Sequence, residues 1–148
     1  MVTRPLTIHE LDILITLEHS LADSLAWAPA TKEEQQPLVA RGDVFGIFEG
    51  TALVGKVGFL ETEHGDWQVD GLIIDPRHHG KGLGTILFRY ALDSIIRKSH
   101  PTQLHLFVYP KNSAAIILYL RHGFVIQELI PDKYGPGKDR LKLIKIIS

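Results

Sequence analysis

Apolar residues recur along the chain with two periods. Over residues 9–25, Leu11, Leu14, Ile15, Leu17, Leu21 and Leu25 approximate one helical face, which Trp27 and Pro29 end. Thr31-Lys32-Glu33-Glu34 reads as a capping box: Thr31 can take a backbone N–H and Glu34 can reach back. A second helix is therefore predicted over about 32–40. From Val44 the period shortens. Residues 44–48 predict a strand, Glu49-Gly50 a turn, and 52–61 a returning strand marked by Val54, Val57 and Phe59. Gly55 and Gly58 weaken that strand or mark bulges. After a polar turn at 61–66, residues 67–74 predict the next strand. Short connections make these three an antiparallel meander. Residues 3–8 predict a first strand, which Pro5 confines to an edge.

The remainder alternates strand and helix. Asp75-Pro76 stops the strand at Ile74. Gly80, Gly82 and Gly84 follow at alternate positions, and Leu83, Ile86, Leu87, Tyr90 and Ala91 then carry a helical period over about 82–98. Pro101 forbids continuation, and 103–109 alternates as a buried strand. Strand, long helix, strand is a crossover unit, so the two strands should lie parallel and close. Asn112 or Ser113 is placed to cap the next helix and Gly123 to close it. Residues 124–129 and 141–147 are the last two strands. Their connection, 130–140, is long for a hairpin, and long loops more often carry function.

Strand, glycine turn and helix start together form a seat for an anion. The first turn of a helix has unpaired N–H groups and a positive dipole end, glycines let a phosphate approach that backbone, and Lys81 adds charge. Two nucleotide motifs are excluded. G-x-G-x-x-G fails, because Leu87 follows from Gly82 and Thr85 from Gly80 where the third glycine is needed. A P-loop needs G-K-S or G-K-T, whereas Lys81 precedes Gly82.

A second stretch, 112–124, follows another strand and contains Asn112, Ala115, Tyr119, Gly123 and Phe124. With the segment His79-Gly80-Lys81-Gly82-Leu83-Gly84, it resembles the GNAT superfamily of acyl-CoA-dependent N-acetyltransferases over about 40–148. That family's loop runs Gln or Arg, two residues, Gly, one residue, Gly or Ala; His79 stands where Arg or Gln is usual. The resemblance implies one GNAT-like domain over 1–148 in the α/β (α+β) class. Its sheet would be mixed and mostly antiparallel, with six to seven strands, about four flanking helices and splayed parallel central strands.

The resemblance also implies chemistry. Acetyl-CoA would be the acyl donor. Its pyrophosphate would lie on the turn from His79 through Gly80, Lys81, Gly82, Leu83 and Gly84 to Thr85. Its pantetheine arm would pair with the main chain of Leu72, Ile73 and Ile74, with Asn112 as a further hydrogen-bonding group. A backbone N–H of Ile73 or Ile74 would bind the oxyanion, and Tyr119 would donate to the leaving thiolate. Family bases commonly lie on the strand before the loop. The matching positions are Gln68, which takes no proton, and Asp70; Glu61 is the alternative and His64 more distant. The first two helices would flank the acceptor, with Trp27 either touching substrate or buried in the core.

Composition narrows the partners. A net charge of −1 gives no basic field for nucleic acid or an anionic membrane. The chain has no cysteine, so disulfides, thiolate zinc sites and an acyl-cysteine intermediate are excluded, and a cytoplasmic setting is expected. Residues 1–5 begin no long apolar run, so neither a signal peptide nor a spanning helix is expected. The 8 histidines show no zinc spacing, and no metal is expected. The predicted reaction is direct acetyl transfer to a primary amine, on a small molecule or on a protein or peptide. The alternative is a non-catalytic acyl-CoA sensor on the same fold. Glu33, Glu34, Glu61, Glu63 and Asp70 could favour a cationic acceptor, and the last strands could pair two copies into a homodimer.

Overall fold

The capping box at Thr31 forms as its sequence predicts. Thr31 Oγ1 accepts from the Glu34 amide at 3.2 Å, and Glu34 Oε1 accepts from the Thr31 amide at 3.1 Å. It opens α2 (Lys32–Ala40). The computed structural model describes residues 1–21 and 29–147, so Leu25 and Trp27 lie outside the described residues. The first helix, α1 (Leu11–Ser20), begins two residues later than its apolar period, because residues Ile8–Glu10 form a 3-10 turn.

The remaining elements are β1 (Val2–Pro5), β2 (Val44–Glu49), β3 (Ala52–Glu63), β4 (Asp66–Ile74), α3 (Leu83–Ser99), β5 (Gln103–Val108), α4 (Ser113–Arg121), β6 (Val125–Ile130) and β7 (Arg140–Ile146). The sheet has the order β1-β2-β3-β4-β5-β7-β6. β1 holds an edge, as Pro5 requires. β1–β2, β2–β3, β5–β7 and β6–β7 are antiparallel, and β4–β5 is the parallel pair predicted by the crossover through α3. The β4–β5 ladder consists of Asp66↔Gln103, Trp67↔Leu104 and Gln68↔His105. Beyond it, β4 continues to Ile74 and β5 to Val108.

Contacts divide the chain into two compact units, Met1–Leu60 with Asp70–Lys98 and Glu61–Val69 with Ser99–Ser148. In the first, β2 is buried on both faces, which explains its unbroken apolar run. Val44 and Phe48 pack with Leu14 and Leu17 of α1 and Leu38 and Val39 of α2. Phe45 points the other way, edge-on to Phe59 at 6.1 Å and to Tyr90 of α3 at 6.0 Å. α3 buries Leu83, Leu87, Phe88, Ala91, Leu92 and Ile95, a helical stripe.

The strand glycines have separate causes. A Cβ on Gly46 would stand 2.6 Å from Leu6 Cδ2 and 2.7 Å from Leu53 Cδ1, so a side chain there would have to displace both leucines. Gly55 sits beside a bulge: Ile47 pairs with Gly55 but Phe48 with Leu53, leaving Val54 as the extra residue.

One feature of this unit has no apolar periodicity to announce it. Lys56 of β3 and Glu18 of α1 form an ion pair at 2.9 Å, each side chain only 1% exposed. The other Glu18 oxygen accepts from the Ala30 amide at 2.7 Å. Glu18 thus ties the chain entering α2 to the sheet.

In the second unit, β5 pairs along its whole length with β7, from Gln103↔Ile146 to Val108↔Leu141. The connection after β6 is ordered by its own polar groups. The Asp132 amide donates to Asp139 Oδ1 at 2.9 Å, and Asp132 Oδ1 accepts from the Gly137 amide at 2.7 Å. Lys133 Nζ lies 4.1 Å over the Phe107 ring.

Candidate active site

The end of β4 is fixed by a short turn. The Asp75 amide donates to the Val54 carbonyl at 2.8 Å. Its buried carboxylate accepts from the Arg77 amide at 3.0 Å and from Arg77 Nη2 at 2.7 Å. The Arg77 guanidinium holds that carboxyl down to about 2. Pro76 opens the 3-10 turn Pro76–His78, where its missing N–H costs nothing.

The glycine turn follows. Gly80 has φ +80° and Gly82 φ +73°, the left-handed region that a side chain disfavours. A Cβ at either would meet nothing within 4 Å. Backbone conformation, not crowding, therefore demands glycine here. Left-handed residues at alternate positions curve successive N–H groups into an anion-binding concavity, and the turn leads into the N-terminus of α3. The first turn of α3 carries no acidic residue to compete for that pole. Lys81 is exposed within the turn. Gly84, by contrast, lies inside the helix, with no left-handed φ. Leu83 is buried and Thr85 exposed on the same first turn.

His79, the departure from the family's usual residue, reaches back to the strand. Its Nε2 lies 2.9 Å from the Ile74 carbonyl. Its side chain therefore braces the turn against the end of β4. Ile73 is buried, and Leu72 and Ile74 are half-buried. Just before them Gly71 takes φ +63° within the strand, a local break that the sequence reading did not single out.

Asp70 belongs to this unit as well. Its Oδ2 accepts from Gln35 Nε2 of α2 at 3.2 Å, and its carbonyl lies 3.5 Å from Lys56 Nζ. A Cβ at Gly58 would make only ordinary contact with the carboxylate, 3.7 Å from Asp70 Oδ2. The unit thus contains the glycine turn, residues 72–74 and Asp70. It does not contain Tyr119, Asn112 or Glu61, which belong to the second unit.

In the second unit Asn112 caps α4, its Oδ1 accepting from the Ala115 amide at 3.2 Å. At the other end, the Tyr119 carbonyl accepts from the His122 and Phe124 amides, and Gly123 takes φ +89°. This is the glycine-terminated helix end the sequence predicts. It fixes Tyr119, whose buried ring lies 6.0 Å from Phe124. Burial pushes the phenol well above its ordinary pKa. Glu61 is exposed, and its Oε2 accepts from the Gly65 amide at 3.1 Å in the β3–β4 turn. The motif reading passed over His105, whose Nδ1 lies 2.8 Å from Asp66 Oδ1. Neither residue belongs to a recognisable spacing, because the crossover through α3 separates them in sequence.

The glycine turn and the Asn112–Phe124 frame have a common source. The model of the acetyltransferase (GNAT) family matches residues 12–124. The chain belongs to this family. Membership makes it an acyltransferase of the GNAT class, whose general chemistry is acetyl transfer. No curated protein matches the chain in sequence. Its fold matches solved GNAT structures along almost the whole chain. The ribosomal-protein-S18-alanine N-acetyltransferase of Escherichia coli matches with a TM-score of 0.81 and 18% identity, over 99% of this chain and 94% of that one. Ard1 of Thermoplasma volcanium matches with a TM-score of 0.84 and 19% identity, over 99% and 97%. The PaiA N-acetyltransferase of Thermoplasma acidophilum, in complex with coenzyme A, matches with a TM-score of 0.74 and 20% identity, over 99% and 98%. Among the described residues no group of three or more His, Asp or Glu is placed to hold a metal. Nor is any described helix long and apolar enough to cross a membrane.

Proposed function

We propose that this GNAT chain, acting as one domain over 1–148, moves an acetyl group from acetyl-CoA directly to a primary amine. The observation that carries this reading is the left-handed Gly80–Gly82 turn at the N-terminus of α3, in a chain matching the family through Phe124. The turn would hold the pyrophosphate, with Lys81 as counter-charge and His79 bracing the backbone. Leu72, Ile73 and Ile74 would present main-chain groups to the pantetheine arm, and Asn112 would add a side-chain amide. Without cysteine the chain cannot form an acyl-thioester intermediate on itself, which supports a ternary complex.

In the reaction the amine nitrogen attacks the thioester carbonyl. The oxyanion is held by a backbone N–H of Ile73 or Ile74, and the C–S bond then breaks. Tyr119 donates its phenolic proton to the thiolate. Burial raises its pKa, so the phenol is protonated when the thiolate leaves. Asp70 takes the proton that the amine loses as the C–N bond forms, with Glu61 as the alternative base. The acceptor is a primary amine of either kind met among structural neighbours, whose names specify a ribosomal-protein alanine and an aminoglycoside.

Release of free CoA thiol from acetyl-CoA, measured across a panel of peptide N-termini, lysine, polyamines and aminoglycosides, tests the proposal. Saturable, acceptor-dependent release is expected with at least one class. Tight acetyl-CoA binding without release against any amine would favour the sensor instead.

A further inference from the structure

We propose that Gln35 of α2 is a positioning residue for Asp70, fixing one carboxylate oxygen so that the other is left to take the proton of the amine. Asp70 is the base of the acetyl-transfer reading, on which this role for Gln35 rests. Both residues belong to the same compact unit, as do the glycine turn and Leu72, Ile73 and Ile74, so no contact between the units is involved. Asp70 precedes those three residues on one strand, β4.

α2 turns Gln35, Leu38 and Val39 inward, an i, i+3, i+4 stripe in which a polar residue stands where an apolar one is expected. The Thr31 capping box sets this face, and the Gln35 amide closes the first helical bond, to the Thr31 carbonyl at 3.1 Å. A buried glutamine side chain must find partners. Nε2 donates to Asp70 Oδ2 at 3.2 Å, and Oε1 has no partner among the described residues. The carboxylate decides which way the amide lies, because the reverse arrangement would set oxygen against oxygen. Gln35 thus leaves a buried acceptor unpaired while keeping a donor on Asp70. Leucine or methionine would avoid that cost, so packing does not account for the glutamine.

Asp70 is held from a second side. Lys56 Nζ of β3 lies 3.5 Å from its carbonyl and is paired with Glu18 of α1 at 2.9 Å. Gln35 from α2, Lys56 from β3 and, behind it, Glu18 from α1 are the polar and charged groups that face Asp70; Gly58 of β3 adds none. Asp70 is half-buried, and its Oδ1 accepts from no described residue. As the C–N bond forms, one N–H proton of the amine passes to Oδ1, directly or through one water. Oδ2 accepts from Gln35 in the carboxylate and in the acid, so the side chain keeps its place through the transfer. The bond is stronger to the carboxylate, so Gln35 also favours the proton-accepting form. As the C–S bond breaks, the thiolate takes the Tyr119 proton. The products are the acetamide and free CoA thiol, and solvent carries the proton from Asp70 back to Tyr119.

The test uses the full chain with the amine that releases thiol fastest. Gln35→Met keeps the side-chain length and loses the donor. It is expected to lower kcat about ten- to a hundred-fold, with acetyl-CoA affinity unchanged and no fall in the thermal midpoint, since the orphaned oxygen goes with the amide. The acid limb of its kcat–pH profile should move to higher pH, because the bond that favoured the ionised carboxylate is gone. Gln35→Asn, one methylene shorter, is the second variant and should show the same loss and the same shift. Asp70→Asn should remove the limb and most of the rate, and Gln35→Met added to it should cost little more. A lowered midpoint with an unmoved limb in both Gln35 variants would mark a merely structural role and overturn the inference, as would a wild-type kcat in either. Full activity in Asp70→Asn would pass the base to Glu61 and overturn the inference while leaving acetyl transfer intact. Wild-type protein that releases no thiol with any amine would overturn the reading itself, and the inference with it.

Discussion

Tyr119→Phe is expected to lower kcat by about a hundred- to ten-thousand-fold, the usual contribution of a positioned acid. Acetyl-CoA affinity and thermal stability should stay close to wild type. The substitution removes one oxygen and keeps the ring, so the packing against Phe124 survives. What is lost is the donor for a thiolate whose conjugate acid resembles a cysteine thiol, near 8.5. Without it the sulfur leaves as a bare anion. Steady-state kinetics at saturating acetyl-CoA check this, and the loss should shrink with an acyl donor whose leaving group is more acidic. Unchanged turnover would remove Tyr119 from the mechanism and leave it a buried aromatic at a helix end.

Lys56→Met is expected to cost about 3–5 kcal/mol of unfolding free energy, because it strands Glu18 as a buried, uncompensated charge. That is a large share of the 5–15 kcal/mol typical of a domain. The double variant Lys56→Met with Glu18→Leu should recover most of the loss, since a buried ion pair and an apolar replacement are often near equal. Urea denaturation of the two single variants and the double variant measures the coupling. A loss under about 1 kcal/mol in Lys56→Met would mean that water reaches the pair and the charge is not stranded. The pair also bears on the candidate site. Lys56 Nζ approaches the Asp70 carbonyl, and Glu18 holds the Ala30 amide, so one contact chain runs from α1 to the strand carrying Asp70.

Much of the fold is legible in the residues because local chemistry and tertiary structure agree. Thr31 and Glu34 set the start of α2, Pro5 sets an edge, and Asn112 and Gly123 set both ends of α4. The glycine turn was legible because Gly80 and Gly82 must be glycine for their backbone alone. Other features depend on distant contacts. Gly46 reads as a blemish in a strand until Leu6 and Leu53 are seen to fill the space of its missing side chain. Glu18 and Lys56 read as surface charges on a helix and a strand until the fold buries them together. His105 and Asp66 are 39 positions apart, and only the register of two parallel strands makes them partners. The His79 side chain reads as a weak substitute for Arg or Gln until its bond to the Ile74 carbonyl gives it a bracing role.

The central claim is that the glycine turn of this GNAT chain holds acetyl-CoA. Calorimetric titration of the purified protein with acetyl-CoA, and with NAD and ATP as controls, tests it most directly. The account predicts saturable, one-to-one binding of acetyl-CoA and much weaker binding of the two nucleotides. Folded protein that binds no acetyl-CoA would contradict it, leaving the Gly80–Gly82 turn a structural corner or the seat of another anion.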